Sequence, residues 1–393
     1  MTIPRGKLGL FVLEGLNSFT ATFYLFYLFF LTRDEFGFTN RGNLLLTAAH
    51  GFVYIFASWQ GGRFAQRFGG YNALKLGFVG MALGLTLGLI VPGLKGQVLA
   101  LICWTAPCCL IWPALEALVT EGETDRGTAR MVGLYNLVWS GACALAYFSG
   151  GWLWDQLGRN GLYVIPIVVM VVQLVLTIVL ARLAKKFPTH TQPAAPSVAQ
   201  HPEPAAFRQK IPPQRFLQMA WLANPFAYVA INTVGAVIPQ LAARFSLTPT
   251  QTGMFCSLWF FTRFAAFFIL WRWTGWHYRF RWLLAAFVGL VFGFTLLLLA
   301  EQFWLVVVAQ LIFGSAIGLI YYSSLFYSMD VGEAKGEHGG IHEAAIGLGI
   351  CVGPGVGAAA LHFVPDIPRA GTWAVAGLLT LGLGALVWMR ARK

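Results

Sequence analysis

The feature that most constrains this chain is a near-unbroken succession of apolar runs about twenty residues long, each ended by a charged or Gly/Pro-rich break. A helix needs about 20 apolar residues to cross a bilayer, and 393 residues hold about a dozen such runs with short connections. Only 11% of the residues are charged and 58% are hydrophobic, with a mean hydropathy of +0.67. A soluble domain carries about a quarter charged residues, so this chain cannot cover a water-facing surface. It reads as an all-α polytopic membrane protein.

The net charge of +12 has a membrane explanation, because Lys and Arg are retained in cytoplasmic loops. Nucleic acid is therefore not an expected partner. All six cysteines fall within apolar runs, with neither a loop-disulfide framework nor metal-ligand spacing, and read as packed thiols. No metal or cofactor is expected. The first run follows Arg5 and Lys7 but is about 25 residues long with Glu14 inside it. That is too long for a cleaved signal, so it is expected to remain as the first span.

The breaks predict helices near 8–32, 42–62, 72–94, 97–120, 130–153 and 161–184, then 215–242, 250–271, 281–300, 303–328, 341–363 and 371–390. Between the sets, Phe187 to Gln214 holds seven of the eighteen prolines and no apolar period, as a flexible linker would. The predicted organisation is a six-helix bundle over 1–186, a Pro-rich linker over 187–214 and a second six-helix bundle over 215–393. Twelve spans put both termini on one side. With that side cytoplasmic, only Arg33, Arg41, Lys95, Arg159, Arg244 and Arg369 lie outside, six against about twenty inside.

The halves look related. GGRFAQRFGGYNALK follows helix 2 and WRWTGWHYRFRW follows helix 8, with Gly69 and Gly275 each six residues before Lys75 and Arg281. The offset of about half the chain suits an internal duplication. Two six-helix halves, a long central loop and a Gly-Arg-Gly turn between helices 2 and 3 resemble the major facilitator superfamily (MFS) across essentially the whole chain. Of its helix 2 to 3 motif, G-x-L-a-D-r-x-G-r-k, this sequence keeps Gly62, Ala65, Arg67 and Gly69. It has Gln66 where the family usually has Asp, which puts the motif's inner-gate charge relay in doubt. The resemblance implies a secondary transporter without enzymatic activity, working by alternating access in the cell (inner) membrane.

Polar side chains are costly in lipid unless they face a partner or a watery cavity, so they mark inward helices. Helices 3, 6, 9 and 12 are nearly bare and read as lipid-facing supports, the division that the superfamily's fold implies. On helix 1, Glu14, Asn17, Thr20, Ala21 and Tyr24 recur at helical steps on one face. Helix 7 repeats the device with Trp221, Asn224, Tyr228 and Asn232. Helix 2 adds Thr47, His50 and Tyr54; helix 5 adds Asn136, Ser140, Cys143 and Tyr147; helix 10 adds Gln310, Gly314, Tyr321, Ser324 and Ser328.

From these stripes Asn17, Tyr24, His50, Tyr54, Asn136, Tyr228, Asn232, Arg263, Gln310 and Tyr321 are candidate substrate contacts. The competing reading is that such residues join helices by hydrogen bonds. Arg263 lies about thirteen residues into helix 8, too deep to snorkel easily, and needs a carboxylate, a carbonyl cluster or an anionic substrate. Glu14, on the order of 9 Å from the inner end of helix 1, is the candidate proton-coupling carboxylate, against a gate or structural role. Gly62, Arg67, Gly69, Glu116, His342 and Glu343 are candidate gate residues. Trp152, Trp154, Trp276 and Trp282 sit near helix ends and read as interfacial anchors; Trp104, Trp139 and Trp259 lie deeper, against a ring or filling grooves.

No Walker loop, metalloprotease pair or nucleophile elbow is visible, so ATP-driven transport and hydrolysis lack their parts. The expected function is a secondary active transporter, proton-coupled, for a small polar organic solute, with the solute, protons and the lipid bilayer as partners and a monomer as the unit. A drug or metabolite efflux antiporter of the same fold is the alternative. Against it, Gly141 to Gly151 reads GACALAYFSGG where such proteins carry a G-x-x-x-G-P-x-x-G-G run. A membrane receptor on a transporter scaffold is the alternative from another class.

Overall fold

A computed structural model describes residues 5–186, 211–331 and 337–392, with side chains left out at 5–6, 125–126 and 337–342. The described residues are helical apart from turns and short connections. We number the spans α1 (Arg5–Phe36), α2 (Asn40–Phe68), α3 (Gly70–Ile90) and α4 (Gly93–Cys108 continued by Ile111–Thr120). A 62-residue helical stretch, Asp125–Lys186, follows. The second set is α7 (Pro213–Arg244), α8 (Pro249–Cys256 continued by Leu258–Arg272), α9 (Phe280–Leu299), α10 (Phe303–Val331), α11 (Glu337–Phe363) and α12 (Ala370–Ala391).

Laid straight, 62 residues would reach about 93 Å, three hydrocarbon thicknesses. The chain instead turns at Gly158, whose φ of 53° and ψ of −143° are not helical. The contacts with α1 prove the reversal. On one side of Gly158 the partners climb α1: Val138 meets Gly15, Cys143 meets Ser18 and Tyr147 meets Tyr27. On the other they descend: Tyr163 meets Tyr24, Gln173 meets Leu13 and Leu180 meets Gly9. Residues 125–157 are therefore α5 and residues 159–186 are α6, which completes the expected two sets of six.

The sequence reading placed several boundaries differently. The predicted gap at 154–160 is helical except for Gly158, and α2 runs on to Phe68, where Gly69 at φ 87° ends it and starts α3 at once. A side chain at that φ would be strained, so the one-residue turn depends on glycine. α4 breaks at Cys109 and Leu110, behind Pro107 and before Pro113, where missing amide donors interrupt the helix. α7 begins at Pro213, inside the predicted linker; the linker's residues 187–210 lie outside the described residues.

Lys7, at the start of α1, donates to Val119 O, Glu121 O and Glu123 Oε1 at the end of α4, and Arg215, starting α7, donates to Arg392 O after α12. These contacts define a terminal face. The opposite face carries the Arg159–Glu35 and Arg369–Glu301 pairs. α3, α6, α9 and α12 expose large apolar side chains such as Leu83, Val175, Phe292 and Leu381, as lipid-facing supports should.

Candidate functional site

Every polar member of the α1 stripe is buried: Glu14, Asn17, Thr20 and Tyr24 are at most 1% exposed. Opposite them on α7, Asn224 is buried, and Tyr228 and Asn232 are half-buried. The amide atoms of Asn17 and Asn224 have no hydrogen-bond partner among the described residues, and neither do those of Gln310 on α10. Such a group costs about 1–3 kcal/mol while it stays unpaired. Three buried amides on α1, α7 and α10 thus point to groups built for a ligand or water.

Arg263, 5% exposed, is held in a way the sequence did not suggest. No carboxylate among the described residues lies within ion-pair distance. Its guanidinium sits over the rings of Trp139 at 4.6 Å, Phe260 at 5.1 Å and Trp259 at 5.4 Å, with Cys143 beside it. A desolvated cation–π contact is worth about 2 kcal/mol, and burying a charge costs several, so the rings offset part of the cost. Trp139 and Cys143 belong to α5, so the cation bridges the two halves. Trp139 is itself positioned: Nε1 donates to Asn136 Oδ1 at 2.8 Å, and its edge meets Phe267 and Tyr321 at 5.5 and 5.3 Å. Tyr228 stands 6.4 Å from Tyr321, near enough to feel the charge of both Arg263 and Glu343.

Towards the terminal face the site turns acidic. Glu14 accepts from Ser18 Oγ at 2.7 Å, and Tyr54 on α2 donates to Glu343 Oε2 on α11 at 2.5 Å, a second bridge between the halves. Glu14, Glu116 and Glu343 are close enough to feel one another's charge. The side chain of His342 lies outside the described residues.

Towards the opposite face, Thr105 spends its single hydroxyl hydrogen on Leu101 O at 2.7 Å, so it accepts from His50 Nδ1 at 2.8 Å. The Nε2 of His50 is then an acceptor. His50, Thr47, Asn232 and Phe26 line a cavity of about 30 Å³, one water's volume, between α1, α2, α4 and α7. Asn232 Nδ2 donates one of its two hydrogens to Tyr228 O within its own helix.

Some candidates lie elsewhere. Tyr24 packs on Trp104 and Tyr163, inside the first half. Arg67 lines a cleft of about 660 Å³ with Arg63, Gln60 and Pro107, between α2, α3 and α4 and away from the seam between halves. Gly62 is buried on α2, and Gly69 forms the turn described above. Trp276 is not an interfacial anchor: it is 1% exposed, donates to Leu270 O and packs on Tyr322, Phe326 and Tyr327. Trp104 and Trp259 are buried as well and fill no lipid-facing groove.

Sequence reading missed the latches on the opposite face. Asp155 Oδ2, ending α5, accepts from Thr250 N at 2.9 Å and Thr250 Oγ1 at 2.5 Å at the first turn of α8. Arg33 Nη1 donates to Pro239 O at 2.9 Å, tying α1 to α7. Gly151 lets α5 touch the backbone of Pro249 and Thr250. An acidic residue just before a span ends was the only signal for Asp155, and it does not name a partner on another helix.

Two helical halves meet on buried polar groups drawn from both. The family model of the Major Facilitator Superfamily matches residues 10–231, and this chain belongs to that superfamily. Its fold is similar to solved structures of the nucleoside transporter NupG (13% identity, TM-score 0.71, covering 99% of this chain and 100% of that one) and of tetrameric PepTSo2 (13%, 0.71, 98% and 97%). A second structure of NupG, that of a mutant, aligns with a TM-score of 0.74 at 12% identity, over 98% of this chain and 100% of that one. No curated protein matches the chain in sequence.

Proposed function

We propose that this chain is a secondary active transporter that carries a small polar organic solute by alternating access, coupled to protons. The observation that carries the reading is the set of buried amides without partners on α1, α7 and α10, Asn17, Asn224 and Gln310. A solute entering between the halves pairs them, and each half keeps its own share of the contacts as it rocks. Asn136, Tyr228, Tyr321 and Arg263 belong to the same solute site, with His50, Tyr54 and Asn232 at its edges; Tyr24 supports it from behind.

Glu14 is the proton-carrying group in this reading, lying in the acidic end of the site with Glu116 and Glu343. The Tyr54–Glu343 bond joins α2 to α11 and must break when the terminal face opens, which makes it a gate; Gly62, Arg67, Gly69 and His342 belong to the same face. In this reading that face is the cytoplasmic one of a cell (inner) membrane protein, which the excess of Lys and Arg supports, and the functional unit is the monomer. One fold neighbour is named a nucleoside transporter, and a nucleoside is a small polar organic solute. Solute uptake by proteoliposomes, with and without an inward-acid pH gradient, tests the proposal. Accumulation above equilibrium only with the gradient supports it; a protein that moves no polar solute under either condition contradicts it.

A further inference from the structure

We infer that the solute is a small organic monoanion, whose carboxylate or similar oxyanion pairs with Arg263 at the seam. The inference deepens the transporter reading and rests on it. Arg263 is the one Lys or Arg among the described residues that is buried, and its Nε has no hydrogen-bond partner. The groups around it are aromatic faces, a thiol and the phenols of Tyr228 and Tyr321, none of which is a carboxylate.

A guanidinium presents a planar fork that fits a carboxylate through two parallel hydrogen bonds, and in a desolvated site such charge-assisted bonds are the strong ones. One cation is balanced by one negative charge; a dianion would leave a net charge buried beside Glu14, Glu116 and Glu343. The walls suit a flat or apolar body attached to that anion, because Trp139, Phe267 and Tyr321 form one aromatic surface next to the guanidinium, and the partnerless Nδ2 of Asn136 adds a donor on the same helix as Trp139. Since Trp139 lies on α5 and Arg263 on α8, an anion held there touches both halves. A solute bound by only one half would not couple its own loading to their movement.

The test pairs anions with neutral isosteres on the full-length protein. Benzoate, nicotinate and indole-3-acetate are compared with benzamide, nicotinamide and indole-3-acetamide, which keep the ring and lose the charge. Thermal unfolding in nanodiscs reads binding, and uptake into proteoliposomes reads transport. At least one anion is expected to raise Tm saturably and to be taken up, with its amide at least tenfold weaker in both assays. Arg263→Gln should erase that difference. Should that variant fail to fold, Arg263→Lys keeps the charge and loses the fork, and is expected to weaken the anion at least tenfold.

Anions and amides that bind alike, an Arg263→Lys protein with wild-type anion affinity, or no response to any anion would overturn the assignment. Uptake of a neutral solute such as uridine in that case leaves the transporter reading standing. Anions that bind through Arg263 and are never moved leave the site standing and overturn the transporter reading instead.

Discussion

Glu14 accepts a hydrogen bond from Ser18, one turn further along α1, and an amide in its place can keep that bond while losing the ability to ionise. Glu14→Gln is therefore expected to fold, to abolish gradient-driven accumulation and to leave exchange of solute between the two sides within about twofold. A gate carboxylate predicts a parallel loss of both, so measuring both rates on one purified variant separates the roles. A second expectation concerns His277, in the connection between α8 and α9, which stacks on Phe326 at 3.9 Å. Burial pulls its imidazole down to about 4, against a weaker opposite pull from Asp330. The unfolded chain binds the proton near pH 6.5, so stability is lost as the pH falls from about 6.5 towards 4. His277→Phe should lessen the loss of Tm between pH 7 and pH 4.5; an unchanged loss contradicts it. Single residues were legible in the sequence where lipid makes polarity expensive, as in the α1 and α7 stripes. They were illegible where the answer lay on another helix: Trp139 beneath Arg263, or the aromatic cluster that buries Trp276.

The helices meet at the opposite face through contacts as small as one carboxylate. Asp155 caps the first turn of α8 with two hydrogen bonds, and a charged cap at a helix N-terminus is worth about 1 kcal/mol when exposed. Asp155→Ala should shift the population towards a form open on that face by about fivefold, the equivalent of about 1 kcal/mol. A cysteine at Thr252, buried in α8, would then react with a hydrophilic maleimide about fivefold faster than it does with Asp155 intact; an unchanged rate argues that the latch holds nothing. Element positions came through from apolar run lengths, because the bilayer fixes how long a span must be. The break between α5 and α6 came through as well, though not that the single residue Gly158 makes the turn, because helical hydrogen bonding resumes on both sides of it. The break in α4 has its signal in Pro107 and Pro113, whereas the break in α8 has none of that kind, and each interrupts a span without ending it.

At the scale of the molecule, the two sets of six spans followed from counting breaks. How the halves fit followed only from the structure, because Tyr54–Glu343, Arg263–Trp139 and Asp155–Thr250 each join residues far apart in the chain. The positive-inside excess predicts orientation: in right-side-out vesicles a Thr39→Cys variant should be labelled by a membrane-impermeant maleimide, and a Thr274→Cys variant only after permeabilisation. The opposite pattern inverts the topology. The central claim is that the two halves rock about the buried polar seam, so that one face opens as the other closes. Spin labels at Thr39→Cys and Gln302→Cys report the opposite face, and labels at Thr124→Cys and Thr274→Cys report the terminal face, on a background with Cys103 and Cys351 replaced. Double electron–electron resonance on both pairs, in nanodiscs across pH 5 to 8, tests the claim most directly. Rocking predicts two populations per pair, with the short distance at one face gaining weight as the long distance gains weight at the other. A single fixed distance at both faces, or distances that lengthen together, would contradict it.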